Sequence, residues 1–170
     1  MSSVLILSGP VGAGKTTIAR ALIASAPGAV AHIEGDAFWS FIAKPVRGEP
    51  EEQAFKMIMR AMTASARHYA RDGYEVILDF SIPPWYLDAI RALLVGKPFD
   101  YVVVRPSESV CAARASARPE GAIADYAPYH DLYTAFEALD GFTIRDDLSD
   151  PMTVAARIRA GLEAGTFRTS

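Results

Sequence analysis

Residues 4–17 combine an apolar segment, a glycine-rich turn and a helical pattern, and this combination restricts the fold more than any other feature of the chain. Val4 to Ser8 form a short apolar run. The next eight residues match the pattern G-x-x-x-x-G-K-[ST] at every fixed position: Gly9-Pro10-Val11-Gly12-Ala13-Gly14-Lys15-Thr16. Apolar residues then follow at helical spacing, namely Ile18, Ala19, Leu22 and Ile23. The segment therefore predicts a strand, a phosphate-binding loop and a helix, in that order.

The residues of the loop have the chemistry that nucleotide phosphates require. Glycines let the backbone turn so that its N–H groups converge on phosphate oxygens, and the N-terminus of the following helix adds a favourable dipole. Lys15 should reach the β- and γ-phosphates, the Thr16 hydroxyl should ligate Mg²⁺, and Thr17 should lie near the α-phosphate. The predicted ATP-binding residues are Gly9, Pro10, Val11, Gly12, Ala13, Gly14, Lys15, Thr16 and Thr17. The alternative is a plain glycine-rich turn, and the loop alone does not separate a kinase from a GTPase or a motor ATPase.

Short apolar runs alternate with helical segments along the rest of the chain, as expected when helices connect parallel strands. The predicted strands are Val4 to Ser8, Ala29 to Ile33, Glu75 to Phe80, Asp100 to Val104 and Phe142 to Ile144. The first predicted helix follows the loop. Three further helices are predicted to begin at Pro50, at Pro83 and just after Ser107, which is the predicted N-cap. The last two predicted helices cover Tyr129 to Leu139 and Pro151 to Gly165. The pattern predicts one three-layer α/β domain over residues 1–170.

Two stretches interrupt this alternation. Residues 35–48 follow the second strand and residues 119–128 lie between the fourth and fifth. Such excursions overhang the carboxyl ends of a parallel sheet, where open α/β folds bind ligands. We predict an acceptor-binding excursion over about residues 35–72 and a lid over about residues 107–128.

Two acids follow predicted strands at this edge of the sheet. Asp79 ends an apolar strand and is a candidate for the magnesium shell, directly or through water, with capping of the next turn as the alternative. Asp36 follows the second strand, and Gly35 before it allows a sharp turn. Its carboxylate is a candidate general base for an acceptor hydroxyl, and the alternative is an N-cap for the segment that follows.

Arg114 and Arg118 are four residues apart, which places both on one face of a predicted helix just before Pro119. An arginine there can stabilise charge on a transferred phosphoryl group, and a mobile segment can bring it in and exclude water. The alternative is a solvated basic face.

Composition limits the partners and the compartment. The chain has 170 residues, of which 51% are hydrophobic, and a formal net charge of -3. Because no basic excess neutralises a nucleic-acid backbone, nucleic acid is not the expected partner. Cys111 is the single cysteine, no run is long enough for a bilayer, and His32, His68 and His130 lack metal-ligand spacing and are predicted to be structural. We predict a cytoplasmic protein without a membrane partner, either a monomer or a homodimer.

Taken together, these features resemble the small P-loop kinases of metabolites, the group that includes gluconate kinase, shikimate kinase and chloramphenicol phosphotransferase. The features concerned are Gly9 to Thr17, Gly35-Asp36, Asp79, Arg114 and Arg118, and the resemblance spans nearly the whole chain and looks strongest with bacterial members. It implies a P-loop NTPase fold with five parallel strands in the order 2-3-1-4-5 and a segment after the fifth strand that packs on adenine. By this resemblance Arg145 to Ser149 line the base pocket.

Departures from these families bear on the acceptor. Residues 80–84 lack the glycine triplet of shikimate kinases, and residues 37–39 lack the histidine-containing stretch of gluconate kinases. The acceptor region instead contains Phe38, Trp39, Phe41, Pro83, Pro84 and Trp85. These side chains suit an acceptor with a flat or apolar part.

The function predicted from the sequence is transfer of the ATP γ-phosphate to a hydroxyl of a small molecule. Two alternatives stay open: a nucleotide-switched ATP-binding protein with slow hydrolysis, and a kinase of nucleotides or nucleic-acid ends. The chain contains neither an Asn-Lys-x-Asp guanine signature nor an Asp-x-x-Gly switch sequence, which disfavours the first alternative. The net negative charge of the chain disfavours a kinase of nucleotides or nucleic-acid ends.

Overall fold

One five-stranded sheet runs through the computed structural model, which describes residues 4–137 and 139–169. The ends of the predicted domain, Met1 to Ser3 and Ser170, lie outside the described residues, as does Ala138 within the helix predicted over Tyr129 to Leu139. The strands are β1 (Val4–Ser8), β2 (Val30–Glu34), β3 (Glu75–Asp79), β4 (Asp100–Val104) and β5 (Thr143–Ile144). Neighbouring strands are parallel in the order β2-β3-β1-β4-β5. This confirms the predicted fold class and strand order, with strand ends shifted by a residue at β2, β3 and β5.

Helices connect these strands on both sides of the sheet. They are α1 (Lys15–Ala24), α2 (Gly35–Trp39), α3 (Glu51–Arg71), α4 (Leu87–Leu93), α5 (Glu108–Ser116), α6 (His130–Thr134) and α7 (Pro151–Glu163). Short 3₁₀ turns precede α4, α6 and β5. None of the helices within residues 4–137 and 139–169 is long and apolar enough to cross a membrane.

Each central strand supplies side chains to two hydrophobic cores, because successive residues of a strand point to opposite faces. In β1, Val4 and Ile6 pack with Ile58 and Met62 of α3, whereas Leu5 and Leu7 join the core on the other face. The second core also contains Ile18, Leu22, Val154 and Ile158, which come from α1 and α7. Because both faces of the sheet are covered, the ends of the strands are left to form a ligand site.

Helix α6 is shorter than the sequence predicts. The helix predicted over Tyr129 to Leu139 is divided into a 3₁₀ turn (Ala127–Tyr129) and α6, and the chain then turns towards β5. The backbone N–H of Phe136 donates to the Tyr133 carbonyl, three residues back, and the Phe136 ring is fully buried. The apolar periodicity therefore reflects burial of Phe136 rather than a continuous helix.

Helix α5 ends at Ser116, so Arg118 lies beyond it and does not share a helical face with Arg114. The residue before a proline is disfavoured in the helical conformation, which explains why the helix stops short of Pro119. Ser107 occupies the predicted N-cap position but makes no side-chain cap; its N–H donates instead to Asp147 Oδ1 at 2.6 Å.

The predicted functional residues gather at the carboxyl ends of the strands. The phosphate loop follows β1, Asp36 follows β2 and Asp79 ends β3. Strand β1 has β3 on one side and β4 on the other, so the order of the strands changes direction beside the loop. The predicted excursion over residues 35–72 contains α2 and α3, and the predicted lid over residues 107–128 begins with α5. These two roles, and the single-domain boundaries, stay predictions.

Candidate active site

The phosphate loop has the geometry of an anion-binding turn. Gly14 adopts a left-handed conformation, with φ at 88°, and α1 begins at the next residue. The ammonium group of Lys15 donates to the carbonyl oxygens of Gly9, at 3.2 Å, and Pro10, at 2.9 Å. The lysine thus folds back over its own loop, where a phosphate would lie.

Four charged side chains interact electrostatically around this loop, namely Lys15, Asp36, Asp79 and Arg118. Burial lowers the pKa of Lys15, the carboxylates of Asp79 and Asp36 raise it, and the positive charge of Arg118 lowers it further. An ammonium group that has lost much of its hydration gains more from a bound anion than an exposed one does. The arrangement therefore favours phosphate beside Lys15.

Gly12 cannot be replaced without strain. Its φ is 80°, in the left-handed region, and a Cβ atom at this position would overlap the carbonyl oxygen of Cys111 on α5. Glycine is therefore required both for the backbone conformation and for the close approach of α5. The Cys111 thiol is buried, and burial raises its pKa to about 11, so it is a packing residue.

We expect Gly12→Ala to lower the melting temperature by about 2–8 °C. A non-glycine residue in the left-handed region costs about 1–2 kcal/mol, and each kcal/mol corresponds to about 2–4 °C in a chain of this length. Gly28→Ala is the matched control, since Gly28 has no left-handed φ and nothing lies within 4 Å of the place of its Cβ. Thermal denaturation measures both. Equal melting temperatures for the two variants would contradict the packing of α5 against the loop.

A cleft of about 510 Å³ opens beside the loop and brings three predicted catalytic residues together. Lys15, Asp36 and Arg118 all line it. A cleft of this size accommodates a small molecule. The structure thus joins the lysine, the acid and one of the two arginines on one side of the phosphate loop.

Asp36 lies one residue inside α2, and Glu34 occupies the N-cap position of that helix. Asp36 is exposed and faces the cleft. Gly35 is not needed for a left-handed turn, contrary to the reason that the sequence suggested. The ring of Phe80 occupies the place that a Gly35 side chain would need, so the glycine lets α2 pack closely against the end of β3.

Asp79, predicted to belong to the magnesium shell directly or through water, is almost fully buried. Only 2% of its side chain is exposed, and its Oδ2 atom has no hydrogen-bond partner among the described residues. The nearest basic group is His32 Nε2 on β2, at 3.6 Å and also without a partner in the described part of the chain. An unsatisfied buried carboxylate oxygen costs about 1–3 kcal/mol or more, which a bound water or ion would recover. Thr16, half-buried at the start of α1, is the other predicted ligand.

The described residues contain no cluster of three or more metal-ligating side chains. A magnesium ion at Thr16 and Asp79 would therefore depend on phosphate oxygens and water for its remaining ligands, as is usual for this ion.

Arg114 does not line the 510 Å³ cleft. Its Nη1 atom donates to the Ala13 carbonyl at 3.4 Å, and the side chain lines a smaller cavity of about 180 Å³. Thr17, Asp146 and Ser149 line the same cavity. The cavity thus joins the loop to the segment after β5, and its role as the base pocket stays a prediction.

Arg145, predicted to line the base pocket, lies in a neighbouring cavity with Arg105 and Tyr133. Its Nη2 atom donates to the Glu137 carbonyl at 3.4 Å. A role of Arg145 in nucleotide binding stays a prediction.

The segment after α5 folds back onto the phosphate loop. The Tyr126 hydroxyl donates to the Val11 carbonyl at 2.7 Å, and the Ile123 N–H donates to the Ala115 carbonyl at 3.1 Å. Ile123 also lines the 510 Å³ cleft. The sequence did not single out Tyr126, although a tyrosine in a proline-bounded loop beside two arginines was the available signal.

Aromatic side chains form one wall of the cleft. Of the six acceptor residues predicted, Trp39, Pro83 and Trp85 line it. Phe38 packs against the core instead, and the side chain of Phe41 is 72% exposed. The sequence missed several other lining residues, namely Glu51, Glu52, Phe55, Phe80, Tyr86 and Tyr129.

Buried hydrogen bonds fix the position of this wall. The Ser8 hydroxyl donates to the Ile82 carbonyl at 2.9 Å and accepts from the Ile82 N–H at 2.8 Å, and the Tyr101 hydroxyl donates to the same carbonyl at 2.7 Å. The turn after β3 is therefore tied to β1 and β4, and the aromatic residues that follow it start from a rigid base.

A phosphate loop between β1 and α1 of a 2-3-1-4-5 parallel sheet, with an acid and an arginine beside the loop lysine, defines a P-loop kinase fold. The chain belongs to the chloramphenicol phosphotransferase-like protein family, whose family model matches residues 2–162. No curated protein matches the chain in sequence.

Solved structures share this fold. The tunicamycin resistance protein of Deinococcus radiodurans is 19% identical, with a TM-score of 0.74 over 95% of this chain and 96% of that one. A sugar kinase from Janibacter sp. is 25% identical, with a TM-score of 0.71 over 96% and 95%. A chain of an RNA repair complex is 20% identical, with a TM-score of 0.65 over 82% of this chain and 45% of that one.

Proposed function

We propose that this protein transfers the γ-phosphate of ATP to a hydroxyl group of a small molecule bound in the 510 Å³ cleft. The observation that carries the proposal is the meeting of Lys15, Asp36 and Arg118 in that cleft, beside a wall of aromatic side chains. Family membership and the similarity to a sugar kinase support a phosphotransferase.

In the proposed reaction, Asp36 orients the acceptor hydroxyl and takes its proton. The acceptor oxygen forms a bond to the γ-phosphorus, the bond from that phosphorus to the β,γ-bridging oxygen breaks, and ADP leaves with the electron pair. Lys15 turns from its loop carbonyls to the phosphates, and Arg118 neutralises charge on the phosphoryl group in flight. Magnesium, when bound, would be held by Thr16 and, directly or through water, by Asp79, and it would reduce the negative charge of the phosphates.

Two other functions for the same fold are less well supported. A nucleotide switch needs no acceptor cleft, whereas this chain has one lined by aromatic residues. A kinase of nucleic-acid ends, suggested by the likeness to a chain of an RNA repair complex, needs cations along the path of a phosphate backbone. The lining of the cleft contains two cations, Lys15 and Arg118, both beside the phosphate loop.

We expect Arg118→Ala to lower kcat for the acceptor-dependent reaction by about a hundredfold, the scale of one removed donor to transition-state charge, with little change in KM for ATP. Arg114→Ala is the matched comparison, because its side chain lines the cavity beside Thr17 instead. It should raise KM for ATP more than it lowers kcat. Steady-state kinetics would measure kcat and KM for both variants. If neither constant changes by tenfold in either variant, the two arginines are surface residues without a part in the reaction.

A screen of hydroxyl metabolites tests the proposed function, with acceptor-dependent formation of ADP as the signal. The expected result is a rise in ADP formation over the rate with water alone for at least one compound, which disappears in Asp36→Asn. If no compound raises the rate of ADP formation, the proposal is contradicted.

A further inference from the structure

The charged residues that line the cleft in the described part of the chain are two cations and three acids. The cations, Lys15 and Arg118, belong to the phosphate-binding side, and both would be neutralised by ATP. Three acids complete the charged lining: Asp36, Glu51 and Glu52. Asp36 is the proposed base, so Glu51 and Glu52, at the start of α3, are the charges left for the acceptor.

Of these two glutamates, only Glu51 lacks a neutralising partner. Glu52 forms an ion pair with Lys56, one turn further along α3, at 2.7 Å. Glu51 forms no ion pair with any residue in the described part of the chain. A negative charge in the first turn also suits the helix dipole, so its charge alone does not mark a binding residue.

Aromatic packing gives an independent reason to regard this wall as a binding surface. Phe55 follows Glu51 by one helical turn, so both side chains lie on one face of α3, and both line the cleft. The Phe55 ring stacks on Phe80 with centroids 5.2 Å apart and meets Tyr86 at the same distance. Trp85 extends the group beyond Tyr86 and is 64% exposed at the cleft.

We propose that the acceptor carries a protonated amine as well as its hydroxyl, and that Glu51 and the rings of Phe55, Tyr86 and Trp85 select it. An unpaired carboxylate beside aromatic faces binds an ammonium group both by a charge-assisted hydrogen bond and by cation–π attraction. The same wall disfavours carboxylate or phosphate groups, because the Glu51 carboxylate would repel them and the described cations that line the cleft, Lys15 and Arg118, belong to its phosphate-binding side. This inference rests on the proposed kinase function.

The test compares three sets of aromatic alcohols that share a ring and a hydroxyl. Phenylethanolamine represents the cations, its N-acetyl derivative the neutral compounds and mandelate the anions, each with larger members of the same type. Acceptor-dependent ADP formation by the full chain with ATP and magnesium is the readout. We expect kcat/KM to be highest for the cationic set, by about tenfold or more over the N-acetyl set.

Glu51→Gln should remove this preference by raising KM for the cations about tenfold while leaving kcat and the neutral set nearly unchanged. Glu49→Gln is the control, because it removes the same charge two residues earlier and outside the cleft lining. Melting temperatures of both variants exclude loss of fold as the cause. Preference for the neutral or anionic set, or a preference for cations that survives in Glu51→Gln, overturns the inference but leaves the kinase function intact. No acceptor-dependent ADP with any set, and none in the wider metabolite screen, overturns the kinase function itself.

Discussion

Lys15→Ala is expected to reduce phosphoryl transfer by about a hundredfold to a thousandfold while leaving the chain folded. The lysine is the cation closest to the expected phosphates, and loss of one such donor costs two to three powers of ten. Its ammonium group contacts only loop carbonyls, those of Gly9 and Pro10, in the described structure. Because burial already disfavours this charge, its removal should cost little folding free energy.

Kinetics and thermal denaturation together test this expectation. Lys97→Ala is the matched control, because Lys97 is exposed beyond α4 and away from the loop. It should keep both the rate and the melting temperature. If the Lys15→Ala protein is folded and keeps the parent rate, the loop does not have the proposed phosphate-binding role.

Asp36→Asn is expected to lower acceptor phosphorylation by about two to four powers of ten, the scale of a removed general base. The amide keeps the shape and can still hydrogen-bond, but it cannot take the proton of the acceptor. Affinity for ATP should stay within about twofold, because Asp36 lies on the acceptor side of the loop. Since Asp36 is exposed, stability should change by less than about 0.5 kcal/mol.

Calorimetry with ATP and a product assay measure the two parts of this expectation separately. Asp72→Asn serves as the control for loss of an exposed carboxylate, because Asp72 lies after α3 and, among the described residues, forms an ion pair only with its neighbour Arg71. If Asp36→Asn keeps the parent rate, the base is another acid, and Glu34 and Asp79 are the next candidates.

Local features of the chain could be predicted from the sequence. The phosphate loop is contiguous, so its pattern fixes a turn, a helix start and the place of Lys15 without reference to the rest of the molecule. Strands β1, β3 and β4 were recognisable as short apolar runs, since both faces of the sheet are covered by helices. The order of the strands came only from the resemblance to known kinases, because no local pattern encodes which strands are neighbours.

The acceptor side of the site could not be predicted in the same way. Glu51 and Phe55 reach the cleft because α3 packs across β3, and Tyr126 reaches Val11 across 115 residues of sequence. Such contacts depend on tertiary packing, which periodicity does not report. Arg114 and Arg118 were predicted to share a helical face. Because α5 ends at Ser116, Arg118 lines the 510 Å³ cleft, whereas Arg114 lines the 180 Å³ cavity.

The measurement that tests the central claim most directly follows the γ-phosphate itself. ATP labelled in the γ-phosphate is incubated with the protein, magnesium and the best acceptor of the screen, and the products are identified by mass spectrometry. The account predicts that the label appears on a hydroxyl of the acceptor, with one ADP formed for each phosphorylated molecule. Label found only as inorganic phosphate, with the acceptor unmodified and residues 119–128 changing position when ATP binds, would contradict it and favour a nucleotide switch.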